Sequence, residues 1–401
     1  MREMKDSGIE WIGEIPKEWN IIPTKYCFTV NNGSDPTTND GDTPVYGSGS
    51  KSFKTCIEFK EGPTVLLGRK GTVNIPQWID GRYWNVDTAF DVKPKGNYSL
   101  KFFYYTAICF DYENYSTQTA LPSMTQGNYL NIKLPYMSLS DQYRIVNFLD
   151  AKCAEIDALT ADIQTQIDIL EQYKRSVITE AVTKGLNTDA ETKNSGIEWI
   201  GEIPATWNIH PVYSYFGERK NKNSLGNENN LLSLSYGRVI RKDINANGGL
   251  LPESFNTYNI VEADDIIIRP TDLQNDKRSL RTGLVKEHGI ITSAYIDLCP
   301  IKHVDSRYFH YLLHAYDVMK VFYNMGNGVR QGLNYSEFSK LMVFEPSYAE
   351  QVSIANYLDK KCTEINACID DKQRQLEVLE EYKKSLIYEY VTGKKEVPAN
   401  A

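Results

Sequence analysis

The chain has 401 residues, of which 41% are hydrophobic and 24% charged, a balance that supports folded domains and excludes global disorder. No apolar run reaches the length of a membrane span, and the N-terminal MREMKDSGIE lacks the apolar core of a signal peptide. We therefore expect a cytoplasmic protein with no membrane partner. The seven cysteines are scattered without a CxxC pair, which argues against a disulfide framework and a metal site.

The formal net charge of -8 is unevenly distributed along the chain. Residues 141–193 carry -4 and residues 346–401 carry -2, whereas residues 1–140 and 194–345 carry -1 each. Non-specific attraction to nucleic-acid phosphates should therefore be weak for the chain alone. A partner would have to supply much of any basic surface.

An internal repeat organises the chain. Residues 7–16 read SGIEWIGEIP, and residues 195–204 read the same sequence at an offset of 188. Trp19-Asn20 recurs as Trp207-Asn208 at the same offset, and we call residues 7–20 and 195–208 the repeated heads. A second repeated block begins at Asp141 and again at Glu350, at an offset of 209. The repeat predicts four segments, namely a first variable region (1–140), a first helix with its linker (141–193), a second variable region (194–345) and a second helix (346–401).

The first variable region contains short β-type runs broken by Gly, Pro, Asn and Asp, which predicts a mixed α/β domain with many loops. Two of its loops have residues suited to contacting DNA. The sequence GRKGT places a basic pair between glycines, which permit close backbone approach, and SMTQG offers a hydrogen-bonding glutamine. The candidate DNA-binding residues in these loops are Arg69, Lys70, Thr72, Ser123, Thr125 and Gln126.

Each repeated block is predicted to be one long helix of about 40 residues, or about 60 Å. Neither block contains proline, and each begins with a capping-box pattern, Ser138 before Asp141 and Ser347 before Glu350. Gly185 and Gly393 suit the stop positions of the first and second helix. Apolar residues recur at intervals of seven and predict helix pairing through Leu149, Ile156, Ile163, Leu170 and Val177 in the first copy and Leu358, Ile365, Leu379 and Leu386 in the second.

A second apolar line should lie beside the main one, through Ile145, Leu159 and Tyr173 in the first helix and Ile354, Cys368 and Tyr382 in the second. The simplest way to bury such stripes is to pair the two helices as an antiparallel coiled coil with approximate two-fold symmetry. The alternative is that each amphipathic helix packs only on its own globular domain. The paired helices would act as a spacer between the two variable regions.

The second variable region is also predicted to be mixed α/β with DNA-binding loops. Its longest polar loop follows the apolar run IIIRP and ends in several basic residues, and a shorter loop reads GNGVRQG. Arginine and glutamine suit bidentate contacts with base edges. The candidate DNA-binding residues are Arg269, Thr271, Gln274, Lys277, Arg278, Arg281, Arg330 and Gln331. The predicted fold class is therefore α+β, with two mixed α/β domains separated and held by two long antiparallel helices.

The sequence resembles the specificity subunits of type I restriction–modification systems. The resemblance covers nearly the whole chain and rests on motifs in a fixed order, found twice. They are GIEWIGEIPKEW and GIEWIGEIPATW in the heads, LLGRKGTV and VDTAF in the first variable region, and IIIRPTDLQND and GIITSAY in the second. The regions that run into the helices, LPSMTQGNYLNIKLP and NGVRQGLNYSEFSKLMVFEP, complete the pattern.

The resemblance implies a non-catalytic subunit that binds double-stranded DNA. Each variable region would be a target recognition domain for one half of an asymmetric, bipartite sequence. The helices would set the spacing and dock two methyltransferase subunits, and the assembly would also recruit restriction/translocase subunits. S-adenosylmethionine, ATP and magnesium would bind those partners, and no cofactor would bind this chain.

Catalytic interpretations have weaker support in the sequence. Asp42 with Glu58 and Lys60 imitates the spacing of a magnesium-dependent nuclease, but such matches arise easily by chance. His310 and His314 lie one helical turn apart, as zinc ligands can, although YFHYLLHAY is more typical of a packed aromatic helix. A coiled-coil structural adaptor without sequence-specific DNA binding remains the alternative from another functional class.

Overall fold

The computed structural model describes residues 2–117, 119–197, 200–244, 252, 254–271, 273, 280–323, 325 and 332–398. The chain forms two compact units. The first unit consists of Met1–Thr165 and Lys372–Ala401, and the second consists of Gln166–Asp371. The four segments defined from the repeat are a different division of the chain, and their boundaries stay a prediction.

In the first unit, the elements that precede the first long helix are short strands and three helices. The strands are β1 (Met4–Asp6), β2 (Glu14–Pro16), β3 (Asn20–Pro23), β4 (Phe28–Asn32), β5 (Thr43–Tyr46), β6 (Lys54–Cys56), β7 (Lys60–Glu61), β8 (Thr64–Gly68), β9 (Gln77–Ile79), β10 (Arg82–Asn85), β11 (Ala89–Pro94) and β12 (Lys133–Tyr136). The helices are α1 (Leu100–Ile108), α2 (Tyr112–Tyr115) and α3 (Gln126–Asn131), and a 3-10 turn spans Thr24–Tyr26. The first long helix is α4 (Leu139–Lys184).

The second unit repeats this order with some differences. Its strands are β13 (Thr192–Asn194), β14 (Glu202–Pro204), β15 (Asn208–Pro211), β16 (Phe216–Glu218), β17 (Leu232–Ser235), β18 (Arg238–Arg241), β19 (Asn259–Val261), β20 (Ile266–Ile268), β21 (Thr282–Leu284), β22 (Gly289–Ile291), β23 (Ile296–Pro300) and β24 (Met342–Glu345). Its helices are α5 (Ser306–Val318) and α6 (Tyr335–Phe338), with a 3-10 turn at Val212–Ser214. The second long helix is α7 (Tyr348–Val391).

Each unit has its own central four-stranded antiparallel sheet, and the two sheets have corresponding strand orders. The strand order is β4-β11-β8-β9 in the first unit and β16-β23-β20-β21 in the second. The register also corresponds, because Leu66 pairs with Asp91 in the first sheet and Ile267 pairs with Asp297 in the second. The two-stranded sheets β12-β3 in the first unit and β24-β15 in the second also correspond to each other. The predicted α+β fold is therefore confirmed in both units.

Each core is built around an aromatic helix. In the first unit, α1 buries Phe102 and Phe103 completely, and Phe28 of β4 packs against Phe103 with ring centroids 4.4 Å apart. In the second unit, α5 buries Tyr308 and Phe309 in the same way. Burial of such large apolar side chains is the main favourable contribution to folding.

Both long helices have the predicted ends. Ser138 Oγ accepts a hydrogen bond from Asp141 N at 3.1 Å, and Ser347 Oγ accepts one from Glu350 N at 3.3 Å. Gly185 follows the last residue of α4 with φ +73°, and Gly393 lies just beyond α7 with the same φ. This left-handed conformation is the one that glycine adopts at helix ends without steric strain.

The helices pair in antiparallel fashion within each unit. In the first unit, Lys383 Nζ of α7 binds Asp157 Oδ1 of α4 at 2.6 Å, and Arg144 near the start of α4 binds Val397 O beyond the end of α7. In the second unit, Lys174 Nζ of α4 donates to Asn366 Oδ1 of α7 at 2.8 Å. Half of each helix therefore packs on half of the other.

The main apolar line of the helices is buried as predicted, but the predicted second line is buried only at its first residue in each helix. Leu170 and Leu379 are half-buried, and the other predicted pairing residues are buried. In the second line Ile145 and Ile354 are buried. Leu159 and Tyr173, however, are 48% and 52% exposed. The second buried line lies four residues after the main one and includes Cys153, Ile167 and Ala181 in α4 and Ile369 and Tyr390 in α7.

The repeated heads pack on the helix ends. A Cβ atom on Gly393 would lie 2.5 Å from Pro16 Cδ and 2.9 Å from a ring carbon of Trp19, so this contact accepts only glycine. In the second unit, Trp207 occupies the matching place beside Gly185, and its Nε1 donates to Glu350 Oε1 at 3.1 Å. The heads are therefore repeated because each one packs against the end of a repeated helix.

We predict different stabilities for two leucine truncations in α4. Leu149 is fully buried in the first core, so Leu149→Ala should lower the free energy of unfolding by about 2–5 kcal/mol. Leu159→Ala is the matched control and should change it by less than about 0.5 kcal/mol, because Leu159 is 48% exposed. Urea denaturation followed by circular dichroism measures both. Equal losses would contradict the observed orientation of the helix.

Candidate nucleic-acid interface

The two candidate loops of the first unit lie side by side. Lys70 and Ser123 form an isolated antiparallel β-bridge, Met124 N donates to Arg69 O at 2.9 Å, and Gly71 N donates to Pro122 O at 2.9 Å. Arg69 and Lys70 are exposed. The structure therefore brings together two loops that lie some 50 residues apart in the sequence.

Several of the other candidates in the first unit have structural roles. Thr125 caps α3, where its hydroxyl accepts a hydrogen bond from Asn128 N at 3.1 Å. Gln126 Nε2 donates to Val30 O, and the Ser123 hydroxyl bonds with that of Thr117 at 3.0 Å. Thr72 is half-buried. Arg69 and Lys70 are thus the candidates best placed to reach a nucleic-acid ligand.

The hairpin β5–β6 borders the same loops and was missed as a candidate. Its connection reads GSGSKSF from Gly47 and was not among the predicted DNA-binding loops. Gln77 Nε2 holds it by donating to Gly47 O at 2.9 Å, and Ser48 Oγ lies 3.4 Å from the position of a Cβ on Gly71. The sequence did contain a signal for this candidate loop. It was a stretch rich in glycine and serine that contains a lysine and lies between two strands.

The second unit places its corresponding loops together as well. Leu333 N donates to Pro270 O at 3.0 Å, which repeats the bond between Met124 and Arg69. Arg269 is half-buried and Thr271 is exposed. The remaining loop candidates Gln274, Lys277, Arg278, Arg330 and Gln331 lie outside the described residues.

The structure corrects the role predicted for Arg281. This side chain is fully buried, and its guanidinium donates to Thr271 O and, at 2.9 Å, to the Tyr323 hydroxyl. A side chain without exposed surface does not contact DNA in this conformation. The sequence missed this role because a basic residue at the end of a polar loop has the same pattern whether it points outwards or inwards.

The hairpin β17–β18 of the second unit carries an exposed aromatic residue at its turn. Tyr236 is 90% exposed and has φ +46°, and Gly237 follows with φ +76°. Left-handed backbone at both central positions is typical of a type I′ turn, in which tyrosine is unusual. The hairpin packs on the sheet where Leu234 and Val239 contact Gly283.

A buried aspartate occupies the same place in both central sheets. In the first unit, Lys60 Nζ binds Asp91 Oδ1 at 2.8 Å, and Asn31 Nδ2 lies 3.3 Å from Asp91 Oδ2. Lys60 therefore serves a structural ion pair. This contact counts against the nuclease interpretation, in which Lys60 would act beside Glu58. The Glu58 carboxylate accepts instead from the Thr37 and Thr38 hydroxyls, which lower its pKa to about 2.

In the second unit the corresponding aspartate is Asp297, and a neighbouring cation offsets its buried carboxylate charge less completely than Lys60 offsets that of Asp91. Arg219 forms a bidentate pair with Asp265 at 2.8 and 3.0 Å and lies 3.8 Å from Asp297. Asp297 is 1% exposed, and burial raises the pKa of its carboxyl group to about 8. Burial also raises the pKa of Asp265, which the bond to Arg219 partly opposes.

The histidine pair of α5 does not form part of a metal cluster in the described residues. Burial lowers the pKa of His310 to about 3 and that of His314 to about 4, and the ring centroids are 6.3 Å apart. Over the same residues, no group of three or more His, Cys, Asp or Glu side chains is arranged to hold a metal ion. None of the helices described is both long enough and apolar enough to cross a membrane.

Comparison with known proteins gives a family match in the first part of the chain. Residues 16–168 match the family model of the type I restriction modification DNA specificity domain. The resemblance inferred from the sequence is confirmed.

Two curated relatives from Methanocaldococcus jannaschii support this result. The chain is 25% identical over 278 residues to the putative type I restriction enzyme MjaX specificity subunit, covering 68% of this chain and 61% of that protein. It is 31% identical over 91 residues to the type I restriction enzyme MjaVIII specificity subunit, covering 23% of this chain and 20% of that protein. The matches thus span less than two thirds of either relative.

The fold has a solved counterpart. A chain from a structure that describes complex assembly and conformational transition of the type I R-M system aligns with a TM-score of 0.69 and 13% identity. The alignment covers 95% of this chain and 99% of that chain. At this identity the likeness shows the fold alone.

We predict that Asp297 makes the stability of the second unit pH-dependent. Its folded pKa of about 8 lies above the ordinary value of about 4, so its contribution to stability is present below pH 4 and is lost as pH rises to 8. The slope for one proton is at most about 1.4 kcal/mol per pH unit.

Asp297→Asn should therefore show a shallower fall in melting temperature between pH 5 and pH 8 than the wild-type protein. Asp264→Asn is the matched control, because Asp264 is exposed in the same unit, and it should retain the wild-type slope. Thermal melting across this pH range measures both. A wild-type slope in Asp297→Asn would show that the carboxyl group is charged in the folded protein.

Proposed function

We propose that this chain is the DNA sequence-specificity subunit of a type I restriction–modification complex. Each compact unit would read one half of an asymmetric, bipartite target in double-stranded DNA. The match of residues 16–168 to the specificity-domain family and the whole-chain likeness to a type I structure support the proposal.

One observation carries this function. The two units present the same pair of neighbouring loops on corresponding sheets, through the bonds Met124 to Arg69 and Leu333 to Pro270. The side chains on these loops differ between the units, with Arg69-Lys70 in one and Pro270-Thr271 in the other. A shared frame with divergent loops is the arrangement expected when two domains read different base sequences.

The partners follow from the same proposal. The chain would be non-catalytic and cytoplasmic, and it would assemble with two methyltransferase subunits and with restriction/translocase subunits. S-adenosylmethionine, ATP and magnesium would bind those subunits. The net charge of -8 supports the proposal that partner subunits supply much of the basic surface that attracts DNA phosphates.

A domain exchange tests the function. The chain, assembled with its methyltransferase subunits, should protect two short DNA sequences on either side of an unread spacer in a footprint. Exchange of residues 1–140 for the corresponding region of another specificity subunit should change one protected sequence and leave the other intact, because each unit has its own sheet and loops. Methylome sequencing of the source strain identifies the target. A structural adaptor would give no sequence-specific footprint.

We also predict that the basic pair of the first unit contacts DNA. Arg69→Ala or Lys70→Ala should weaken binding by about 1–3 kcal/mol if the side chain binds guanine, and should lower the salt slope by about one if it binds phosphate. Lys93→Ala is the control, since Lys93 lies towards the other end of β11 from Ala89, which pairs with Gly68. Titration of labelled duplex at several salt concentrations measures both. Unchanged affinity in both loop variants would place this loop away from DNA.

A further inference from the structure

The two corresponding connections that carry candidate DNA-binding residues are anchored by different buried polar groups. The connection from β8 to β9 in the first unit corresponds to that from β20 to β21 in the second, because the flanking strands share their pairing register. Each connection contacts the segment before a short capped helix, α3 or α6. The strands and the capped helix around each connection therefore correspond between the units. The side chains that anchor the two connections can be compared at matching positions.

In the first unit a tyrosine hydroxyl reaches both ends of the basic loop. Tyr129 of α3 is 1% exposed, and its hydroxyl lies 2.7 Å from Gly68 O and 3.4 Å from Val73 O. These two carbonyl groups flank Arg69 and Lys70. A buried carbonyl without a donor is costly, so this hydroxyl favours one conformation of the loop.

The second unit lacks this hydroxyl. Asn334 caps α6 as Thr125 caps α3, with a capping box in both, so Phe338 stands where Tyr129 stands in the first unit. Phe338 is fully buried and packs on Phe322 with ring centroids 5.5 Å apart. It cannot hydrogen-bond a backbone carbonyl, so the second connection needs another anchor.

A buried network on α5 and the turn that follows it provides that anchor. Arg281 N and the Tyr323 hydroxyl both donate to the carboxylate of Asp317, the latter at 3.0 Å. The Arg281 guanidinium donates to Tyr323 and to Thr271 O, and Arg269 N donates to Arg281 O at 2.8 Å. Arg281 therefore joins the two ends of residues 269–281, the segment that carries most of the DNA contacts predicted for the second unit.

The burial of this network makes its geometry demanding. Arg281 and Asp317 are both fully buried, and Tyr323 is 4% exposed. A buried charge is stable only when its hydrogen-bonding groups are satisfied, and the planar guanidinium satisfies several acceptors at fixed angles. Displacing either end of the segment would break bonds that water cannot replace.

We propose that Tyr129 and the Arg281–Tyr323–Asp317 network are positioning residues, each setting the base discrimination of its own unit without contacting DNA. The inference rests on the proposed DNA-reading function. It gives the two units independent anchors for corresponding loops, so a change in one anchor affects one half-site. It also assigns a role to Arg281, whose burial removes it from the direct contacts.

Conservative tyrosine substitutions test the proposal. Tyr129→Phe should reduce discrimination at the first half-site, and Tyr323→Phe at the second, by about 2- to 12-fold each, the range expected for one hydrogen bond. The assay uses the chain assembled with its methyltransferase subunits. It compares the target duplex with duplexes changed in one half-site, which the domain exchange assigns to each unit.

Two matched controls separate positioning from general destabilisation. Tyr112→Phe removes a buried hydroxyl that donates to Ala107 O at 2.9 Å in the first unit. Tyr311→Phe removes a hydroxyl that donates to Asp359 Oδ1 at 2.8 Å in the second. Both lie outside the anchors and should leave discrimination at both half-sites unchanged, even if they lower the melting temperature as much as the anchor variants.

Arg281→Lys is a second, more severe test of the second anchor. It retains the positive charge but loses the planar fork, so it should reduce discrimination at the second half-site more than Tyr323→Phe does. Should this variant fail to fold, Tyr323→Phe still decides the question. Discrimination at both half-sites would be measured only on preparations with a wild-type melting profile or at temperatures well below melting.

Each outcome is decisive. If the wild-type assembly discriminates but Tyr129→Phe and Tyr323→Phe do not differ from their controls, the anchors do not position the reading loops and the inference is overturned. Loss at both half-sites from one substitution overturns it as well. If the wild-type assembly itself shows no discrimination, the proposed function fails, and the inference fails with it.

Discussion

Neither compact unit can bury its apolar core without a helix segment from the other half of the chain. The first unit takes the start of α4 and the end of α7, where Leu149 and Ile156 share a core with Leu386 and Val391. The second takes the end of α4 and the start of α7, where Val177 and Val182 share a core with Ile354 and Leu358. The antiparallel pairing follows from this exchange, because each unit needs one helix beginning and one helix end.

The repeated heads have the same physical origin. A helix that ends inside a core must cover its last turn, and here Trp19 and Trp207 cover the glycines that terminate α7 and α4. Glycine is required in that place by the left-handed backbone and, at Gly393, by the close approach of Pro16. The parts of the sequence that repeat are therefore the parts that pack on one another. The loops that face outward carry no such constraint and have diverged.

Buried polar groups vary between the units while the backbone frame is kept. Asp91 binds Lys60 at 2.8 Å, whereas Asp297 lies 3.8 Å from Arg219 and its carboxylate oxygens accept no hydrogen bond from the described groups. Tyr129 anchors one loop, whereas Arg281 anchors the other. Within a low-dielectric interior a polar group must be compensated, but several side-chain combinations satisfy that requirement. Two domains with one fold can thus hold their loops by different chemistry.

The sequence by itself determined the repeat, the two long helices with their caps, the main apolar line and the pair of loops around Arg69 and Gln126. These features depend on local periodicity and turn chemistry, which are readable along the chain. Only the tertiary structure decided that Leu159 faces solvent while Ile167 is buried, and that Arg281 points inward. Apolar residues flank the main apolar line of the helix on both sides, so the sequence does not show which side is buried. Nor does it show whether an arginine side chain points into the core or into solvent. Packing in the folded protein decides both.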